Sequence, residues 1–160
     1  MESGGEDMGA GHVSNTMRTR IQAGHLWRKQ VLPLGTVTLP RGELALTPEY
    51  LGWLAEAFDE AAFDYVPFQL AFDSEHTSDP DRWRGDVTGF EMADDGLDAL
   101  IMATDEGNRA ILETPGLDAA PRIINDYRTA DGRVFPAAIQ HILGTTKPLI
   151  TGLRGWERVT

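Results

Sequence analysis

Cysteine is absent from the 160 residues. Disulfides, thiolate nucleophiles and cysteine-held zinc are thereby excluded, and a chain without cysteine is compatible with the cytosol. No apolar run approaches the roughly 20 residues that span a bilayer, which argues against a membrane role. Met1 to Asn15 carries Glu2, Glu6 and Asp7 and no apolar core, so it does not read as a signal peptide. Positive charge is scarce as well: 14 Lys and Arg stand against 25 Asp and Glu, a formal net charge of −11. Phosphate contacts dominate nucleic-acid affinity, so DNA or RNA binding is disfavoured. The acidity suits solubility, or a partner or substrate with basic segments. The GxSxG elbow, the P-loop and GxGxxG are missing, and no serine follows Ser78.

What remains is the composition of a globular domain, 41% hydrophobic and 8% aromatic, at a length that fits one domain with a real core. Residues 1–25, with Gly4, Gly5, Gly9 and Gly11, read as a flexible N-terminal arm in which His12 is incidental; the folded domain is expected over 26–160. Leu26 to Leu39 carries β-branched residues and is interrupted by Pro33 and Gly35, which predicts two short strands or one bent strand. Thr47-Pro48-Glu49 is a helix start, with a Thr cap, Pro in the first turn and an acid behind it. Leu51, Leu54, Ala55, Phe58, Ala61 and Ala62 continue it at helical spacing, with an end expected at Phe63-Asp64. Val66–Ala71 reads as a strand running into the polar loop 73–80. Gly85–Met92 and Leu97–Ala103 read as a hairpin about Asp95-Gly96. Thr104-Asp105 caps a short helix over Glu106–Glu113. Ala119–Tyr127 and Val134–Leu143 form a second hairpin about Asp131-Gly132, and Leu149–Val159 is ambiguous. These elements predict a mixed, mostly antiparallel α+β or small-barrel domain.

Two histidines, His76 and His141, lie in the predicted compact region. His76 follows a strand, and its neighbours Asp73, Glu75 and Asp79 would raise the imidazole pKa and orient the ring. Each of the two, taken singly, reads first as an ordinary structural histidine. If Ala137–Leu143 is a strand, Ile139, His141 and Leu143 share a face. Two histidines on different strands suit a proton relay, one taking a proton from a nucleophile and the other orienting the first. A metal set of Asp73, His76, Asp79 and His141 is a weaker reading, because it lacks the spacing that makes zinc sites specific.

The segment Phe63-Asp64-Tyr65-Val66-Pro67-Phe68-Gln69-Leu70-Ala71, then His76-Thr77 and Asp79-Pro80-Asp81-Arg82-Trp83-Arg84-Gly85, resembles the capsid maturation proteases of tailed phages that infect actinobacteria. So do Asp95-Gly96-Leu97, Arg122-Ile123, Tyr127, Asp131-Gly132 and the run Phe135–Thr145. The likeness covers about residues 26 to 158, and its most specific parts are the His76 loop and Phe135–Thr145. Such enzymes resemble other prohead proteases and the herpesvirus assembly protease. The resemblance implies an α+β fold with a mostly antiparallel, β-barrel-like core and surrounding helices.

The activity it implies is that of a serine endopeptidase inside the procapsid, in the host cytoplasm. Such an enzyme cuts the scaffold protein, itself and, in some phages, the major capsid protein. No metal or cofactor is implied; a homodimer follows by analogy with the herpesvirus branch. The catalytic order there is His, Ser, His, which maps the general base to His76 and its orienting partner to His141. Where similar phage sequences carry the serine, this chain has Ala120, or Ala119 if the register slips by one. The expectation is an inactive form, produced by an engineered Ser→Ala change at 120 or present naturally in a pseudoprotease. A pseudoprotease would act as a non-enzymatic assembly module that binds scaffold or capsid protein. Arg154, between glycines after His141, matches the order of an oxyanion donor, and Arg122 is an equal candidate.

Overall fold

The computed structural model describes residues 24–71 and 79–159. The expected arm through residue 23, His12 and the polar loop with Asp73, Glu75 and His76 lie outside them. The described chain runs β1 (His25–Pro33), β2 (Gly35–Leu39), β3 (Gly42–Leu46), α1 (Pro48–Asp59), β4 (Pro67–Leu70), a 3₁₀ turn (Pro80–Arg82), β5 (Trp83–Ala93), β6 (Gly96–Ala103), α2 (Asp105–Glu113), β7 (Asp118–Arg128), β8 (Val134–Thr145) and β9 (Glu157–Arg158). Seven strands form one sheet in the order β7-β8-β4-β5-β6-β1-β9, and β2 and β3 pair as a separate hairpin. Within the large sheet β4 and β8 run parallel, while the other pairs are antiparallel. The mixed, mostly antiparallel α+β class is as expected.

The sheet is not a closed barrel, which corrects the barrel-like expectation. β7 and β9 are its two ends. β1 and β7 approach each other but are joined by a side chain instead of a ladder: Lys29 Nζ lies 2.7 Å from Asp118 Oδ1. Two local features keep the seam open. β9 takes the free edge of β1 at Trp27 and Arg28, and Pro121, in the middle of β7, has no N–H to give a neighbour.

Residues 147–159 run across this seam as a strap. Arg154 N–H donates to Gln30 Oε1 at 2.6 Å, and Lys29 Nζ donates to Arg154 O at 2.7 Å. The Trp156 indole donates to Leu117 O at 2.9 Å and its ring meets Trp27 and Phe68 edge-on at 6.4 and 5.7 Å. The stretch read as ambiguous is therefore fixed by tertiary contacts that no local pattern encodes.

α1 starts where the sequence places it: Thr47 Oγ1 accepts from Tyr50 N–H at 3.0 Å, and Pro48 stands in the first turn. Leu51, Leu54 and Ala57 are its buried face, and Leu51 and Leu54 are fully enclosed, worth roughly 1.5–3 kcal/mol each. The helix stops at Asp59, four residues before the expected end, because Ala61 takes a left-handed φ of 56°. Arg133 fixes this end by donating to Glu60 O at 2.6 Å. α2 follows its Thr104 cap as expected, with Thr104 Oγ1 accepting from Gly107 N–H at 3.0 Å.

Three further points differ from the sequence reading. β3 and its turn at Pro40-Arg41 were not anticipated; Gly42, which opens β3, takes a φ of +130° that other residues rarely adopt. His25, expected in the arm, belongs to the folded part and opens β1 with Nε2 2.9 Å from Asp105 Oδ1. β1 also absorbs one residue at a bulge between Gln30 and Leu32, a slip that a period-two pattern does not reveal.

Candidate functional site

β7 and β8 bring two of the expected residues together. In their register Ala120 faces Leu143 and Arg122 faces His141. Cross-strand partners share a face and residues two apart on one strand share it too, so Ala120 and His141 lie on the same side of the sheet. They are diagonal neighbours, about 7–8 Å apart on general strand geometry. The row continues across β4, where Gln69 is the partner of Leu143. Phe68, Ile142 and Ala119 belong instead to the main core. That division keeps residue 120, and not Ala119, on the His141 face.

A bulge in β8 sets the aim of His141. Between Arg122 and Ile123 the register slips by one, so Gln140 and His141 together oppose Arg122. Arg122 Nε donates to Gln140 Oε1 at 3.0 Å, which holds that guanidinium along the bulge. His141 is 5% exposed. His76 lies outside the described residues, so its relation to these two is not part of the geometry.

Arg154 is engaged elsewhere. Its guanidinium meets Asp95 at 2.6 and 2.9 Å and Asp98 at 2.6 Å, and its N–H is given to Gln30. Those contacts, the Asp95 pair first, push its pKa above the ordinary arginine range. The Arg154 donors hold the strap to the β5–β6 turn. Of the metal set, Asp73 and His76 lie outside the described residues. Asp79 caps the 3₁₀ turn by accepting from Asp81 N–H at 3.0 Å. Among the described residues no group of three acidic or histidine side chains is gathered for an ion.

Two features beside Ala120 were not foreseen. The first is Lys29, 1% exposed. Its ammonium meets Asp118 Oδ1 at 2.7 Å, Gln30 O at 2.9 Å and Arg154 O at 2.7 Å, which uses all three of its donors. Burial lowers its pKa, with Asp118 opposing the shift. Asp118 Oδ1 in turn accepts from Ala119 N–H at 2.9 Å, so the Lys29 pair fixes the start of β7 two residues before Ala120. Lys29 stands between Arg28 and Gln30, so the sequence around it carries no signal of burial.

The second is an apolar pocket of about 220 Å³ in the open seam, with Ala119, Ala120 and Pro121 on one wall and Leu39 and Leu44 of the β2–β3 hairpin on another. No contiguous motif announces it, because five separate segments build it. No family model matches the chain, and no curated protein is similar to it.

Proposed function

We propose that this chain is the folded domain of a phage capsid maturation protease of the prohead type, inactive as it stands because residue 120 has no hydroxyl. The observation that carries the reading is the shared face of Ala120 and His141 on paired strands β7 and β8. The diagonal spacing of about 7–8 Å leaves room for one imidazole between a hydroxyl at 120 and the His141 ring. His76 is proposed for that role, as general base, with His141 orienting it. A serine at 120 would attack the scissile carbonyl while His76 takes its proton. Collapse of the tetrahedral intermediate would return that proton to the leaving amine, and water would then release the acyl group. With alanine no acyl-enzyme forms, and losing a serine nucleophile costs about a millionfold in turnover. The proposed substrates are the scaffold protein, the chain itself and the major capsid protein, inside the procapsid. A homodimer belongs to the same proposal.

The test is Ala120→Ser, incubated with the cognate scaffold and capsid proteins and read by intact mass. Defined cleavage is expected, lost again in the Ala120→Ser, His76→Ala double variant. No cleavage by folded Ala120→Ser, with stable binding to scaffold or capsid protein instead, supports the second reading, an assembly module that keeps the fold without the chemistry.

A further inference from the structure

We infer that the open seam beside Ala120 is a docking site for an extended polypeptide segment, which adds a strand to the outer edge of β7 and buries one branched aliphatic side chain in the adjoining pocket. The inference rests on the protease reading only for the kind of ligand, a polypeptide.

Three observations favour this occupant. Among the described residues β7 pairs on one side only, with β8. Its other edge faces the seam, and an unpaired strand edge is a template for an incoming strand. The pocket is about 220 Å³, below the roughly 300–1,000 Å³ of sites that enclose whole small-molecule ligands; it suits a single side chain. Its wall residues Val31, Leu39, Leu44 and Ile150 are aliphatic, which selects an aliphatic side chain over a polar one.

Pro121 sets the register. Backbone groups along an antiparallel strand point alternately toward and away from the paired neighbour. Ala119 gives its N–H to Asp118 Oδ1, and Pro121 has none to give, so the odd-numbered residues turn toward the seam. That edge therefore offers the Pro121 carbonyl as an acceptor without a companion donor, then a donor and an acceptor at Ile123. An incoming strand matches it by donating opposite Pro121 and exchanging both bonds with Ile123. Strands that need a donor at 121 are refused. The edge is thus blunted against indiscriminate pairing while remaining open to one register.

The experiment uses the full chain and a blocked hexapeptide, acetyl-Lys-Thr-Val-Leu-Thr-Lys-amide, with its Leu→Asp and Leu→Gly counterparts. Binding is read by amide chemical-shift titration. The leucine peptide is expected to perturb Ala119, Ala120 and Ile123 and to bind at least tenfold tighter than either counterpart. Single N-methylation along the peptide should weaken binding at alternate amides only, the signature of strand addition. Leu39→Asp, which adds a carboxylate to the pocket wall, should weaken the leucine peptide at least tenfold while the circular dichroism spectrum is kept. If Leu39→Asp does not fold, the peptide series on the unaltered chain decides alone. Equal affinity for the leucine and aspartate peptides overturns the inference, and so does an absence of shifts at 119–123 at millimolar peptide. The outcome is separable from that of the protease reading: a folded Ala120→Ser chain that cleaves nothing, alongside leucine-selective binding, defeats the protease and keeps the docking site.

Discussion

Lys29 shows how a single residue can organise a region with no ladder to hold it. Its ammonium bridges β1, the start of β7 and the strap, with each proton directed at an oxygen. The cost of desolvating it is offset by that complete satisfaction. Removing the lysine alone leaves the Asp118 carboxylate, 17% exposed, without its cation. Lys29→Met is therefore expected to destabilise the fold by about 3 kcal/mol, the lower end of the range for breaking a buried pair, because Asp118 keeps some solvent. Urea denaturation measures it. Lys29→Met combined with Asp118→Asn should recover most of the loss, since the unpaired charge is gone and the amide oxygen can still accept from Ala119 N–H. Equal losses in the single and double variants would show that Lys29 acts through packing, not through charge.

Among the elements, the β5–β6 hairpin is where sequence and structure agree most closely. Asp95-Gly96 marks the turn, and Gly96 adopts a φ of +153°. The position is doubly restricted: a Cβ there would stand 2.0 Å from Leu32 O of β1. Gly42, at the tip of the β2–β3 hairpin, also has a positive φ but open space around it. Gly96→Ala should cost well over 1 kcal/mol, whereas Gly42→Ala should cost about 1 kcal/mol, from backbone strain alone. Similar shifts in melting temperature for both would mean that β1 yields at Leu32.

The same contrast explains what was legible. Thr47 and Thr104 caps and the Asp95-Gly96 and Asp131-Gly132 turns are local signals, and they mark α1, α2 and the β5–β6 and β7–β8 hairpins. The β2–β3 hairpin was missed because Pro40-Arg41 is a weak turn signal between short strands. Parallel pairing of β4 with β8 joins residues more than seventy positions apart, and the strap depends on Gln30, Asp95 and Leu117; neither has a local signature. At the site, Ala120 and His141 were readable as members of two strands, but their common face required the register. The pocket and the role of Lys29 required the fold.

At the scale of the whole molecule, a strap crosses the open seam between β1 and β7, and the strap is pinned by charge. Arg154 connects to Asp95 on the turn and to Asp98 inside it. The Arg154 hydrogen bonds hold the Asp95 carboxyl below its ordinary value of 3.8; Asp131 is lowered likewise, first by the Thr129 hydroxyl and then by Arg133. Both acids thus ionise at lower pH folded than unfolded. Their contribution is fully present above the ordinary carboxylate range and is lost as pH falls through the lowered values, where the unfolded chain binds more protons. The melting temperature should accordingly be level between about pH 5 and 7 and fall below about pH 4. Asp95→Asn should remove part of that acid slope and lower the melting temperature at pH 7. The Asp95 carbonyl bonds from Leu34 N–H and Gln30 Nε2, both 3.0 Å, do not depend on the carboxylate and should preserve the turn. The loss should therefore be local: protection of the Arg154 and Val159 amides falls while that of central β5 and β6 is kept. Hydrogen exchange at pH 7 distinguishes the two cases. Uniform loss of protection across the sheet would mean instead that the strap and the core open as one unit.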